Sequence, residues 1–301
     1  MLSLHTNAAA LSAQNSISRT QMALSTSQTR LSTGFRVNSA MDDAAGLQIA
    51  TRLTAQTSGM AMAMRNTQNS ISMLQTAEGA FDEVTTMLTR MKDLATQAAD
   101  ASSTAKDQAA LQSEFDALGS ELNNVMKNTT FGGAKLMDGG TIASAMTFQI
   151  GATKAETMSI DLSTAMTALT GTALTNVSAR YAAGGAAVGT EISDGTDGTA
   201  SASNAAGQTA ANNAIDTIST AIDAVGGIRS SLGAAANRLD HVYNNLSNIS
   251  TNTKAAKGRI MDTDFAAESS NMTSSQMLLQ AGTAMLKQSN STSSLVMSLL
   301  Q

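Results

Sequence analysis

The side chains with the widest chemical repertoire are few and scattered. Histidine occurs only at His5 and His241, neither belongs to an HExxH helix, and there is no cysteine to complete a zinc site with them. Asp42 and Asp43 are the conspicuous carboxylate pair. Acid–base work needs two carboxyls that face one another across a substrate, whereas adjacent residues on a helix point apart. Gly132, Gly133, Gly139 and Gly140 lack the GK[ST] ending of a phosphate loop. The net charge is −5, and no basic cluster is interleaved with stacking aromatics, which argues against nucleic acid. The expectation is a chain with no catalytic residues, no cofactor and no metal, whose polar residues serve structure.

The elements that position those residues therefore carry the function. The chain has 301 residues, 3% aromatic, with neither Trp nor Pro. Average usage would give about 15 prolines, so helix breakers are avoided throughout. The first 30 residues lack both a basic start and a continuous apolar run, so neither a cleaved secretory signal nor a membrane span is expected. Every acid lies between Asp42 and Glu268, and the ends carry only Arg19, Arg30, Arg36 and Lys287. Helices with so little charge are expected to pack on most sides.

Apolar residues recur in alternating steps of three and four at Leu74, Ala77, Phe81, Val84, Leu88, Met91, Ala95 and Ala98. The same heptad seam runs through Leu111, Phe115, Leu118, Leu122 and Val125, and again from Ile215 to Leu246. Arg229 interrupts that last seam and is expected to snorkel to its edge. Looser series occupy the ends: Leu4, Leu11, Ile17, Leu24 and Leu31 on one side, Met277, Leu278, Ala281, Met285, Leu295 and Leu299 on the other.

Between ends and body lie two joints. In 31-LSTGFRVNSAMDDAAGLQIATRL-53, Gly34 suits a left-handed helix terminus, and Asn38, Ser39, Asp42 or Asp43 can cap the helix that follows. In 258-GRIMDTDFAAES-269, Asp262 and Asp264 can do the same. Residues 147–150 and 157–162 alternate around a Gly-Ala-Thr-Lys turn, as a β-hairpin does. From about residue 170 to 213, Ala, Gly, Thr and Ser dominate, and a solvated loop is expected.

The joint LSTGFRVNSAMDDAAGLQIATRL, the helix MLTRMKDLATQAAD, the segment TTFGGAKLMDG and the C-terminal GRIMDTDFAAESSNMTSSQMLLQAGTAMLKQSN together resemble bacterial flagellin. The resemblance covers roughly residues 1–165 and 210–301. It implies a mainly α fold: an elongated helical bundle with long heptad-patterned helices, paired terminal helices, a small β-hairpin and a loop-rich or small outer segment. By resemblance, residues 1–33 and 265–301 form the inner filament core, and polymerisation runs through the terminal series named above. Residues 34–43 and 258–264 form spoke linkers, with Gly34, Asn38, Asp42, Asp43, Asp262 and Asp264 as spoke residues. Residues 44–165 and 210–257 form the bundle, and 166–209 a variable outer segment.

The implied function is a structural subunit that polymerises into the flagellar filament for swimming or swarming, exported unfolded to the extracellular flagellum. The implied partners are further copies of itself, the flagellin export chaperone, the hook-associated junction and cap proteins, and the host innate receptor for flagellin through Arg90, Leu94 and Glu114. Neither nucleic acid nor membrane is among them.

Overall fold

The computed structural model describes residues 7–184, 189–193 and 204–299, the side chains of Asn204 and residues 293–299 excepted. Three helices come first: α1 (Ala8–Thr33), α2 (Ala44–Ala98) and α3 (Ala105–Asn128). Two antiparallel hairpins follow, β1 (Thr130–Phe131) with β2 (Ala134–Lys135), and β3 (Met146–Gln149) with β4 (Thr157–Ile160). Short helices α4 (Ser163–Ala168), α5 (Leu174–Val177) and α6 (Ala179–Ala182) precede the long α7 (Asn204–Met261) and α8 (Phe265–Leu299). The described chain divides into two compact units, Met1–Ser58 with Ile249–Gln301, and Gly59–Asn248. Both joints expected from sequence lie inside the first unit.

The second unit holds the main core. Phe81, Val84, Leu88, Met91 and Ala95 of α2 are fully buried, as are Phe115 of α3 and Ile218, Val225 and Leu239 of α7. Those are the heptad positions, and burying a large apolar side chain is worth roughly 1.5–3 kcal/mol. α3 begins with a capping box: the Thr104 hydroxyl accepts the Asp107 N–H at 3.3 Å, and the Asp107 carboxylate accepts the Thr104 N–H at 3.0 Å. Gly132 and Gly133 have φ of 59° and 85° and make the two-residue turn between β1 and β2, a conformation other residues resist. The β3–β4 hairpin turns Met146, Met158 and Ile160 into the core. Arg229 sits half-buried at the seam's edge, its Nη2 3.0 Å from Asp82 and 3.9 Å from Glu78.

The solvated loop expected from about residue 170 is corrected by the described part of that segment. Leu174, Val177, Tyr181 and Ile192 are buried in the same core as α2, α3 and α7. A buried polar stripe on α3 holds the segment there. Gln112 donates to Asp116 at 2.9 Å and to Glu191 at 2.8 Å, and its carbonyl accepts the Ile192 N–H at 2.8 Å. Asp116 accepts the Gly189 N–H at 3.2 Å and lies 3.4 Å from Arg180 Nε, while Glu191 accepts the Ala179 N–H. Buried polar groups persist when each finds a partner, and here the partners come from a stretch that composition alone would assign to solvent.

Candidate functional site

In the first unit α1 and α8 run antiparallel, and each end of the pairing has its own device. Asn7 caps α1 by accepting the Ala10 N–H at 3.1 Å. Its amide also donates to the Ser289 carbonyl at 3.3 Å and hydroxyl at 3.2 Å, joining residues 282 apart in sequence. At the other end Gly34, at φ 75°, closes α1 with its N–H on the Arg30 carbonyl at 2.8 Å. Arg30 lies 3.7 Å from Glu268 of α8. Beyond Gly34 the two strands of the joint pair directly: Phe35 bridges Asp262, the Arg36 N–H donates to Met261 O at 2.6 Å, and the Thr263 N–H donates to Gly34 O at 3.0 Å. The Arg36 guanidinium adds a bond to Ile260 O at 3.0 Å.

The joint's acids divide their work. Asp43 accepts the Gly46 N–H at 2.8 Å and so caps α2. Asp42 instead holds the turn before it, accepting the N–H groups of Ser39 at 2.9 Å and Asn38 at 3.1 Å and the Ser39 hydroxyl at 3.1 Å. These bonds, the Ser39 N–H foremost, hold its carboxyl below the ordinary aspartate range. Asn38 donates its amide to Phe35 O at 2.8 Å. Asp264 caps α8 through Ala266 and Ala267, at 2.9 and 3.2 Å, whereas Asp262 enters through its backbone.

Along α1 the half-buried and buried positions are Ala10, Ala13, Ile17, Thr20, Leu24, Ser27 and Leu31, with Arg30 beside the last, and along the described part of α8 they are Glu268, Met272, Ser275, Leu279, Gly282, Leu286 and Ser289. Both sets step by three and four, the spacing of a packed seam. Small residues let the backbones approach: a Cβ on Gly282 would lie 2.9 Å from Ile17 Cγ1. Ile17, Leu24 and Leu31 thus belong to the seam, but Leu11, Met277, Leu278, Ala281 and Met285 do not. Leu11, Met277, Leu278 and Met285 are 59–69% exposed, and Ala281 is exposed beside them. Leu4, and the side chains of Leu295 and Leu299, lie outside the described residues. The apolar residues singled out on α8 face outward, while its inner side mixes Met272, Leu279 and Leu286 with the smaller Ser275, Gly282 and Ser289.

Met22 joins this outward set at 61% exposure. With Ile17 opposite Gly282 and Arg30 opposite Glu268, Met22 stands about level with Met277. Among the described residues of this unit the buried apolar side chains are Val37 and Ala50. Large apolar groups exposed in number along one pair of helices mark a surface with a use.

Arg90 and Glu114, on α2 and α3, pair across the surface of the second unit. Nε and Nη2 of Arg90 donate to Glu114 Oε1 at 2.9 and 2.6 Å, with both side chains about half exposed. Leu94 is 1% exposed and belongs to the core, so it offers no surface of its own. His241 stands exposed on α7, and His5 lies outside the described residues. Among the described residues no three His, Cys, Asp or Glu side chains are placed to hold a metal, and no helix is long and apolar enough to cross a membrane.

A long-helix bundle with its two ends paired and apolar on the outside defines a subunit built to assemble. Residues 4–141 match the bacterial flagellin N-terminal helical region, and residues 215–300 the bacterial flagellin C-terminal helical region. The chain is 34% identical to Flagellin B of Vibrio anguillarum over 99% of both chains, and 35% identical to Flagellin A of Vibrio cholerae over the whole of both. Its fold is also similar to that of a putative flagellar hook-associated protein from Vibrio parahaemolyticus, with a TM-score of 0.56 at 18% identity over 73% of this chain and all of that one. The chain belongs to the bacterial flagellins. It is a structural subunit of the flagellar filament, which serves motility.

Proposed function

We propose that the outward apolar face of the α1–α8 pair, with Leu11, Met22, Met277, Leu278, Ala281 and Met285, is where neighbouring copies pack in the filament. The observation that carries this is the imbalance within the first unit: large apolar side chains stand exposed on the pair while, among the described residues, Val37 and Ala50 are its buried apolar ones. Further copies would supply the missing apolar contact, and burial at ~25 cal/mol per Å² would favour the polymer. The reading assigns the chain no reaction and places it in the extracellular flagellum, reached through the flagellar export apparatus. Its further partners are the export chaperone and the hook-associated junction and cap proteins. Leu278→Asp puts a charge on this face, outside the seam. It is expected to abolish filaments in electron micrographs while leaving the monomer's circular dichroism unchanged; normal filaments would sink the assignment.

A second surface is proposed for the host innate receptor for flagellin. It comprises Arg90 and Glu114, a charged pair held on two helices, while Leu94 supports it from the core. In a receptor reporter assay, Arg90→Ala combined with Glu114→Ala is expected to lower the response at least about tenfold, the change produced by ~1.4 kcal/mol of lost binding. An undiminished response rules the surface out.

A further inference from the structure

Methionine is unusually frequent, at 19 residues, and its exposure varies widely among the described residues, with Met41 97% and Met62 47% exposed outside α1 and α8. Met60, Met87, Met91, Met126, Met137, Met146, Met158 and Met166 are at most 5% exposed, all in the second unit. Met22, Met277 and Met285 are 59–69% exposed, and all three project away from the α1–α8 seam on the outside of the pair. Thioethers are the oxidisable groups of a chain without cysteine, and access decides which react first.

We infer that Met22, Met277 and Met285 make the unassembled subunit sensitive to hydroperoxide, oxidation of these thioethers blocking its addition to the filament. The inference rests on the assignment of this face to contacts between copies. In the reaction a sulfur lone pair attacks one peroxide oxygen and the O–O bond breaks. That oxygen stays on sulfur as the sulfoxide, and the other leaves as water after proton transfer, so the thioether is oxidised and the peroxide reduced. The product is polar where the thioether was apolar and would need a hydrogen-bond partner if buried. The seam facing the partner helix is barely touched by this change. Met272, the one methionine among its described positions, is partly buried, and the other described positions on its α8 side are Glu268, Ser275, Leu279, Gly282, Leu286 and Ser289. The pair can therefore remain folded while its outer face loses its apolar character. Once copies cover that face, the same sulfurs are shielded, so sensitivity belongs to the free subunit.

The test treats the full-length unassembled chain with hydrogen peroxide, locates sulfoxides by peptide mass spectrometry and measures the assembled fraction by sedimentation. Sulfoxide is expected at Met22, Met277 and Met285, together with the exposed Met41 and Met62, ahead of the eight buried methionines, with assembly reduced at least about tenfold, equivalent to ~1.4 kcal/mol. Methionine sulfoxide reductase with a thiol should restore it. The variant Met22→Leu, Met277→Leu, Met285→Leu, near in volume and inert to peroxide, should assemble before and after treatment, and each single Leu variant should retain part of that resistance. Unimpaired assembly of parent chain carrying these sulfoxides overturns the inference, as does equal peroxide sensitivity of the Leu variants. Untreated Met277→Gln with Met285→Gln separates the two readings: if it assembles normally, the face is not a subunit contact. If it fails while the oxidised parent succeeds, only the oxidation inference falls.

Discussion

Adjacent aspartates with different work show how finely the first joint is divided. Asp43 caps α2 alone, whereas Asp42 gathers the Ser39 and Asn38 amides into the turn that precedes it. Because these bonds lower its folded pKa beneath the unfolded value, Asp42 stabilises the turn at pH above the unfolded value, and that contribution disappears as pH falls through the folded one. Hydrogen exchange at Asn38 and Ser39 is therefore expected to accelerate below the ordinary aspartate pKa of 3.8, and Asp42→Asn should show faster exchange at neutral pH with the acid dependence removed. Unchanged exchange in that variant would show that the turn is held by other contacts. The sequence identified the pair as capping residues, because the types and their place before a helix suffice for that. Which acid caps was not legible, since either carboxylate can reach a free N–H and only the path of residues 35–41 decides.

At the scale of the element, hydropathy alone described α2, α3 and α7 well, because each buries one apolar stripe against the core. It did not separate the two faces of α8: the inner one is partly Ser275, Gly282 and Ser289, and the outer one carries Met277, Leu278 and Met285. A helix that packs within the chain on one side and, on the function proposed above, against another copy on the other gives no single stripe to find. Glycines separate the two kinds of helix surface by experiment. Gly282→Val would drive a side chain into Ile17 and is expected to loosen the α1–α8 pair by about 1–3 kcal/mol. Gly226 and Gly227 lie within α7 with open space where a Cβ would go, so Gly226→Ala and Gly227→Ala are each expected to stabilise by roughly 1 kcal/mol. Urea titrations followed by circular dichroism distinguish the two classes, and destabilisation by either alanine would mean that these glycines serve some contact or bend.

At the scale of the whole molecule, the segment after α4 was read as an excursion because it is poor in large apolar residues, yet its few are well spent. Leu174, Val177, Tyr181 and Ile192 enter the core, and Gln112 and Asp116 tie down the backbone between them. Deleting residues 170–205 is therefore expected to cost on the order of 5 kcal/mol or more rather than leave the body intact, since several buried side chains go at once. Thermal unfolding of the deletion variant against the parent checks this, and an unshifted midpoint would mean that the core closes over the gap. The antiparallel pairing of α1 with α8 also fixes an order of events. The partner of the first helix lies at the far end of the chain, with Asn7 meeting Ser289 across 282 residues. Closing so long a loop is entropically costly and slow relative to local helix formation. A product of interrupted synthesis has an α1 with nothing to close upon. The α1–α8 pairing is therefore available only to copies whose translation has reached the last helix.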